Sequence, residues 1–289
     1  MPLRTGLTAM HTHHTAPTQF VEANGIRFAY RRFGKAGSVP ILFNQHFIGT
    51  MDYWDPAVTD GLARSREVIL FDNAGVSSSS GEVPTTFQQM GANAIAFVRA
   101  LGLTTIDVLG FSIGGMVAQE IVLQAPELVR RLILVGTGPR AGHGMWPRSE
   151  GSARIFAATY DPPEDLWLAV HFTPSAASQA AGRAFLRRVH LRQVDRDPEA
   201  NDKVAPAQAT AIAAYGAPAK GGWDYLKTIT QPTLVVNGDD DVIVPTVNSF
   251  ILQQYIPDAQ LILYPNANHG SMYQYPELFL AHAVLFLDA

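Results

Sequence analysis

The sequence predicts an α/β protein: a mostly parallel central sheet, helices on both faces, and a helical insertion between two late strands. Three observations carry this. Short β-branched and aliphatic runs alternate with stretches of helical periodicity, as at residues 67–71, 106–111, 131–136 and 232–238. That alternation is the pattern of parallel strands covered on both faces. The second observation is the turn Gly110-Phe111-Ser112-Ile113-Gly114-Gly115, which passes from an apolar strand run straight into the helix-like stretch Met116-Val117-Ala118-Gln119-Glu120-Ile121. The third is residues 139–222, where alanine-rich helical periodicity runs without a convincing strand.

With 289 residues, 47% hydrophobic and 16% charged, the chain can bury a large core as two small domains or one α/β domain with an insertion. A net charge of −4 gives no electrostatic case for nucleic acid, and no basic helix suggests a membrane surface. The absence of cysteine excludes disulfides, thiolate metal sites and a cysteine nucleophile. No apolar core of signal-peptide length occupies the first twenty residues, and none reaches the ~18 apolar residues of a spanning helix. A cytoplasmic protein is expected, with its oligomeric state open.

Residues 1–18 are polar, with the run His11-Thr12-His13-His14, and are expected as a flexible, solvated tail rather than a metal site. Asn24-Gly25 between alternating runs at 20–23 and 26–30 signals a hairpin. Strands are expected at 40–44 and 67–71. Thr86 with Gln89 three places on is a capping box for a helix that ends near Gly102. The strand and helix around Ser112 follow, then a strand at 131–136. Within 139–222, helical periodicity falls at 154–160, 165–172, 176–194 and 207–215, punctuated by prolines. Strands resume at 232–238 and 260–264, and a helix from 276 to 287 closes the chain. The organisation expected is a core of 19–138 and 223–289, with 139–222 inserted.

The turn at Ser112 also carries chemistry. Holding a serine at a sharp strand–helix turn lifts its hydroxyl above the sheet, at the positive end of the helix, where the Ile113 N–H would face a developing anion. Gly110-Phe111-Ser112-Ile113-Gly114-Gly115 resembles the nucleophile elbow of the α/β-hydrolases, closest to their serine esterases and cofactor-independent haloperoxidase/perhydrolase relatives. The likeness runs from about Phe20 to the C-terminus and is weakest across 139–222.

That resemblance implies roles for further residues. The family's acid lies three places after a strand-ending glycine and ahead of Val-Pro, which selects Asp241 in Gly238-Asp239-Asp240-Asp241-Val242-Ile243-Val244-Pro245, with Asp240 as the alternative. His269, after the last strand, takes the place of the general base. In Gln45-His46-Phe47-Ile48-Gly49-Thr50, the family's usual His-Gly is replaced by Gln45-His46, so Phe47 falls at the second oxyanion donor and His46 is expected to support the loop. Asp72 is expected to stabilise its loop. The insertion would form a lid, with Trp146, Trp167, Phe172, Tyr215 and Trp223 as lid core or substrate contacts; His46, Ile48 and Val244 join the candidate contacts.

Ser112, Asp241 and His269 each follow a strand, so all can meet at the carboxyl edge of the sheet, where sites form in such folds. The expected activity is cleavage of an apolar carboxylic ester or lactone through an acyl-serine, with no metal and no cofactor. Perhydrolysis by the same residues is the alternative, and a ligand-binding receptor is the reading from another class.

Overall fold

The structure, a computed structural model, describes residues 11–218 and 220–289. Its first strands, β1 (Gln19–Ala23) and β2 (Ile26–Gly34), form the hairpin expected at Asn24-Gly25, with φ of 51° and 76° at the two turn residues. Both angles positive is the tight turn that matches the twist of paired strands, and Asn-Gly tolerates it best. Then come β3 (Ile41–Asn44), α1 (Pro56–Ala63), β4 (Glu67–Phe71), α2 (Phe87–Ala100), β5 (Ile106–Phe111), α3 (Ile113–Gln124) and β6 (Val129–Val135). Asp55 accepts from the Ala57 N–H to start α1. Thr86 accepts from the Gln89 N–H at 3.2 Å, but the Gln89 side chain bonds Asn93 at 3.0 Å rather than turning back, so only half of the expected capping box forms.

Among the described residues four α-helices lie between β6 and the next strand: α4 (Glu150–Ala157), α5 (Asp165–His171), α6 (Ala176–Val189) and α7 (Val204–Gly216). The chain then returns to the sheet with β7 (Thr233–Gly238), α8 (Val247–Tyr255), β8 (Ala259–Tyr264), α9 (Ser271–Gln274) and α10 (Pro276–Asp288). The eight strands make one sheet in the order β1-β2-β4-β3-β5-β6-β7-β8, antiparallel at β1–β2 and β2–β4 and parallel from β4 to β8. Alternation along each strand sorts side chains to two cores. Val108 and Leu132 face one with Phe97 of α2 and Ile121 of α3, while Leu109 and Ile133 face the other with Val58 of α1 and Phe286 of α10. Among the described residues no helix is long and apolar enough to cross a membrane.

Residues 11–18 touch the core at His13 and Ala16, while His11, Thr12, Thr15 and Pro17 are exposed. His13 is buried, its N–H donates to Asp60 at 2.7 Å, and its ring Nδ1 lies 3.0 Å from the Thr59 hydroxyl. Arg192, beyond α6, donates to the carbonyls of His13 and Ala16, both at 2.9 Å. A polar segment with few apolar residues can still be ordered when a buried guanidinium needs its carbonyls. The expectation for residues 1–10 lies outside the described residues.

Candidate active site

The turn between β5 and α3 is tight enough to force its serine into a rare backbone conformation. Ser112 has φ 56° and ψ −121°, and its N–H is tied to the Val135 carbonyl at 2.9 Å. A non-glycine residue at positive φ is strained, and the surrounding packing must hold it there. Glycine is required on both sides. A Cβ on Gly110 would strike the Gly114 carbonyl, and one on Gly114 would strike the Asn44 carbonyl at the end of β3. α3 can therefore cross close over β5 and β3, which brings its first N–H, that of Ile113, beside the loop that follows β3.

At the carboxyl ends of β7 and β8 the second and third expected residues meet. His269 Nδ1 lies 2.9 Å from Asp241 Oδ2, and both side chains are buried. The other oxygen, Oδ1, accepts the N–H groups of Ile243 and Val244 at 2.8 and 3.0 Å, so the carboxylate is held by three donors. Asp239 and Asp240 are exposed, which settles which of the three adjacent acids faces the histidine. A carboxylate oxygen accepts, so Nδ1 carries the proton in this pair and Nε2 is left with its lone pair. The His269 ring lies 5.0 Å from that of Phe111, the residue preceding Ser112. No hydrogen bond joins Ser112 Oγ to His269 in this structure.

The loop after β3 is pinned at nearly every polar group. The Gln45 side chain accepts the His46 N–H at 2.8 Å and donates to the Thr50 carbonyl at 2.9 Å. His46 Nδ1 lies 2.9 Å from the Phe47 carbonyl, which can only accept, so the ring donates from Nδ1. The Ile48 N–H, in a residue with φ 54°, donates to Gln208 Oε1 of α7 at 2.7 Å. Between these two anchored amides, the Phe47 N–H has no partner among the described residues. Phe47, Ile113 and Ser112 line one cavity of about 60 Å³. Asp72, expected to stabilise its loop, is buried and accepts the Met51 N–H at 3.1 Å.

The remaining candidates scatter. Val244 lines the cavity beside Ser112. His46 does not; it sits behind the loop in an aromatic cluster with Trp167, His171 and Phe111, at ring distances of 5.2, 5.4 and 5.5 Å. Burial pushes its pKa down to about 4, and that of His171 is also pushed down, chiefly by burial. Ile48 contributes its backbone to Gln208. Phe172 packs on Phe185 and also lines a larger cavity, and Tyr215 is buried against Phe87 with its hydroxyl donating to Gln119 at 3.2 Å. Trp146 is 46% exposed, and Trp223 donates to the Arg140 carbonyl at 3.0 Å. In place of these, Met116, Met145, Arg148, Ser152, Phe156, Ile212 and Ile243 complete the cavity wall. Met116, Phe156, Ile212 and Ile243 stood in stretches already singled out, but not as wall residues; the helical periodicity of the insertion does not tell which of its faces meets the serine. A larger cavity, about 1060 Å³, lies between α4–α6 and the Asp239–Val242 loop; it touches Asp241 but not Ser112.

A family model described as alpha/beta hydrolase fold matches residues 39–276. The putative carbamate hydrolase RutD of Rhizobium rhizogenes is 26% identical over 257 residues, spanning 86% of this chain and 92% of that protein. The pimeloyl-acyl-carrier-protein methyl ester esterase of Nitrosomonas europaea is 30% identical over 185 residues, spanning 61% of this chain and 68% of that protein. Among solved structures, an alpha/beta hydrolase fold protein from Chitinophaga pinensis superposes with a TM-score of 0.90 and 40% identity, over 96% of this chain and all of that one (100%).

Proposed function

This chain belongs to the α/β-hydrolase fold family, and within it we propose a serine hydrolase that cleaves a carboxylic ester or lactone through an acyl-serine. Ser112 is the nucleophile, His269 the general base, Asp241 the carboxylate that orients it, and the N–H groups of Phe47 and Ile113 the oxyanion donors. The observation that carries this reading is the 2.9 Å contact between Asp241 Oδ2 and His269 Nδ1, because it leaves Nε2 as a free base at the same sheet edge as Ser112. The unpartnered Phe47 N–H supports the oxyanion assignment. The relatives' activities on a methyl ester and a carbamate agree with acyl transfer as the reaction class.

The steps follow from these positions. Nε2 takes the Ser112 proton as Oγ attacks the carbonyl carbon, and the oxyanion forms between the two N–H donors. The tetrahedral species collapses, the imidazolium returns its proton to the departing alkoxide, and an acyl-serine remains. Water then repeats the sequence: Nε2 takes its proton, hydroxide adds to the acyl carbon, and Ser112 leaves with the proton. Asp241 holds the ring in the tautomer this requires and stabilises the imidazolium. Losing one oxyanion donor typically costs ~3–4 kcal/mol of transition-state stabilisation. These steps call on no metal or organic cofactor. Residues 139–222 act as a cap on the core of 19–138 and 223–289, since Met145, Phe156 and Ile212 wall the cavity from that segment.

The test is turnover and labelling. The wild-type protein should hydrolyse p-nitrophenyl esters with multiple turnovers and take one serine-directed fluorophosphonate per chain; folded Ser112→Ala should do neither. Stoichiometric labelling that persists in the folded variant would overturn the assignment of the nucleophile. Binding without turnover in the wild type would favour a receptor. An assay with hydrogen peroxide separates peracid formation from hydrolysis, because both begin from the same acyl-serine.

A further inference from the structure

The cavity beside Ser112 is mostly apolar, with Ser112, Ser152 and one charged residue as its polar side chains. Its walls are Phe47, Met116, Met145, Ile212, Ile243 and Val244, with no acidic residue among those that line it, yet Arg148 is part of the wall. The Arg148 guanidinium carbon lies 4.6 Å from the centroid of the Phe156 ring, which lines the same cavity. A guanidinium held over an aromatic face by the ring's charge distribution does not use up its N–H donors on a hydrogen-bond acceptor. Among the described residues Arg148 has neither a salt bridge nor a hydrogen bond. Its neighbours on the same segment are engaged: Arg140 holds Glu120, and Arg154 lies 3.7 Å from Glu150.

The half-buried Arg148 has no counter-ion among the described residues and no acidic neighbour in the cavity wall, so its N–H groups are free to bind an anionic group that a ligand brings. The planar fork matches a carboxylate with two parallel hydrogen bonds. Such a pair gains strength away from bulk water. We propose that the substrate of this enzyme is an ester or lactone bearing a carboxylate, and that Arg148 binds this carboxylate while the reacting carbonyl sits between Ser112 and the N–H groups of Phe47 and Ile113. The space beside Ser112, about 60 Å³, is small, so a short link between the two groups is favoured over a long chain. This proposal rests on the reading of Ser112 as nucleophile.

Two matched pairs of esters test it, one with the charge on the acyl side and one with it on the alcohol side. The first is mono-p-nitrophenyl glutarate against p-nitrophenyl pentanoate; the second is 4-carboxyphenyl butanoate against phenyl butanoate. In at least one pair, Arg148→Gln should lower the ratio of kcat/KM for the anionic over the neutral ester by roughly 10- to 100-fold, the range of a charge-assisted pair. Arg148→Lys should recover part of that ratio, since it keeps the charge and loses the fork. High salt should erode the preference in the wild type but not in Arg148→Gln. A ratio that is unchanged by Arg148→Gln in both pairs overturns the proposal while leaving the serine hydrolase intact. If neither member of either pair is hydrolysed, it is the hydrolase reading that falls. Calorimetry with monomethyl glutarate then decides the role of Arg148: affinity lost in Arg148→Gln upholds anion binding there, and equal affinity overturns it.

Discussion

His46 stands where the family resemblance leads one to expect glycine, and its surroundings make it a buried neutral base. It is 3% exposed, donates from Nδ1 to the Phe47 carbonyl, and encloses its Nε2 lone pair without a partner. Burial lowers its pKa to about 4 in the folded protein, against about 6.5 in the unfolded chain. Between those values the unfolded chain binds a proton that the folded protein does not. The contribution of His46 to stability is therefore full above pH ~6.5 and is lost as pH falls towards ~4. Buried Asp72 works with the opposite sign. Its pKa is raised, first by burial and then by the charge of Asp197, so its contribution is lost as pH rises. A variant isolates one from the other. His46→Gln should lose about 2 kcal/mol less than wild type when denaturant unfolding is compared at about pH 7 and about pH 5. The same pH dependence in both proteins would mean that His46 is not held neutral.

At the scale of elements, the loop after β3 owes its shape to a helix far away in sequence. Its Ile48 N–H is fixed by Gln208 of α7, and the carbonyl of the same peptide, that of Phe47, is fixed by His46. The peptide plane next to the proposed oxyanion donor is thus held from both ends. On the proposed mechanism Gln208 is a positioning residue. Gln208→Leu, which keeps the bulk but cannot accept, should lower kcat roughly tenfold or more with a smaller change in KM. Gln208→Glu, which keeps an acceptor oxygen, should restore much of it. A kcat within about twofold of wild type in folded Gln208→Leu would show that the loop holds its shape without α7.

At the scale of the whole molecule, the segment 139–222 packs into both cores. It gives Leu168, Phe172, Phe185 and Val189 to one of the two cores and Met145, Ala211 and Tyr215 to the other. It also supplies Arg188, which donates to buried Asp55 from Nε at 2.7 Å and Nη2 at 2.6 Å, and Arg192, whose Nε lies 3.7 Å from buried Asp52. Burial of a large apolar side chain contributes ~1.5–3 kcal/mol, so losing several exceeds the ~5–15 kcal/mol by which a domain is stable. Removing an arginine from a buried acid adds an unpaired charge. Deletion of 139–222 with a flexible linker should therefore give a protein that aggregates or melts without a cooperative transition. A monomer by gel filtration with a sharp melt by circular dichroism would contradict this.

What the sequence by itself determined is what short windows encode. The Asn24-Gly25 turn, the period-two strands and the close approach of Gly110 to Gly114 around Ser112 are set by residues within a few positions of one another, because steric limits and periodicity act locally. The strand–helix order then determined that Ser112, Asp241 and His269 lie at one edge of the sheet. Tertiary structure decided which partners close across distance. It turned Asp241 rather than Asp240 to His269, buried His13 and Ala16 under Arg192, and set Gln208 against Ile48. It also brought Arg148 and Phe156 into the wall beside Ser112, while Phe172 and Tyr215 went to the cores. Those outcomes depend on how helices of an alanine-rich insertion rotate and dock, and a helix with apolar residues on several faces does not state which face will be buried. Docking is selected by the fit of the whole surface, so it is legible only once the chain has folded.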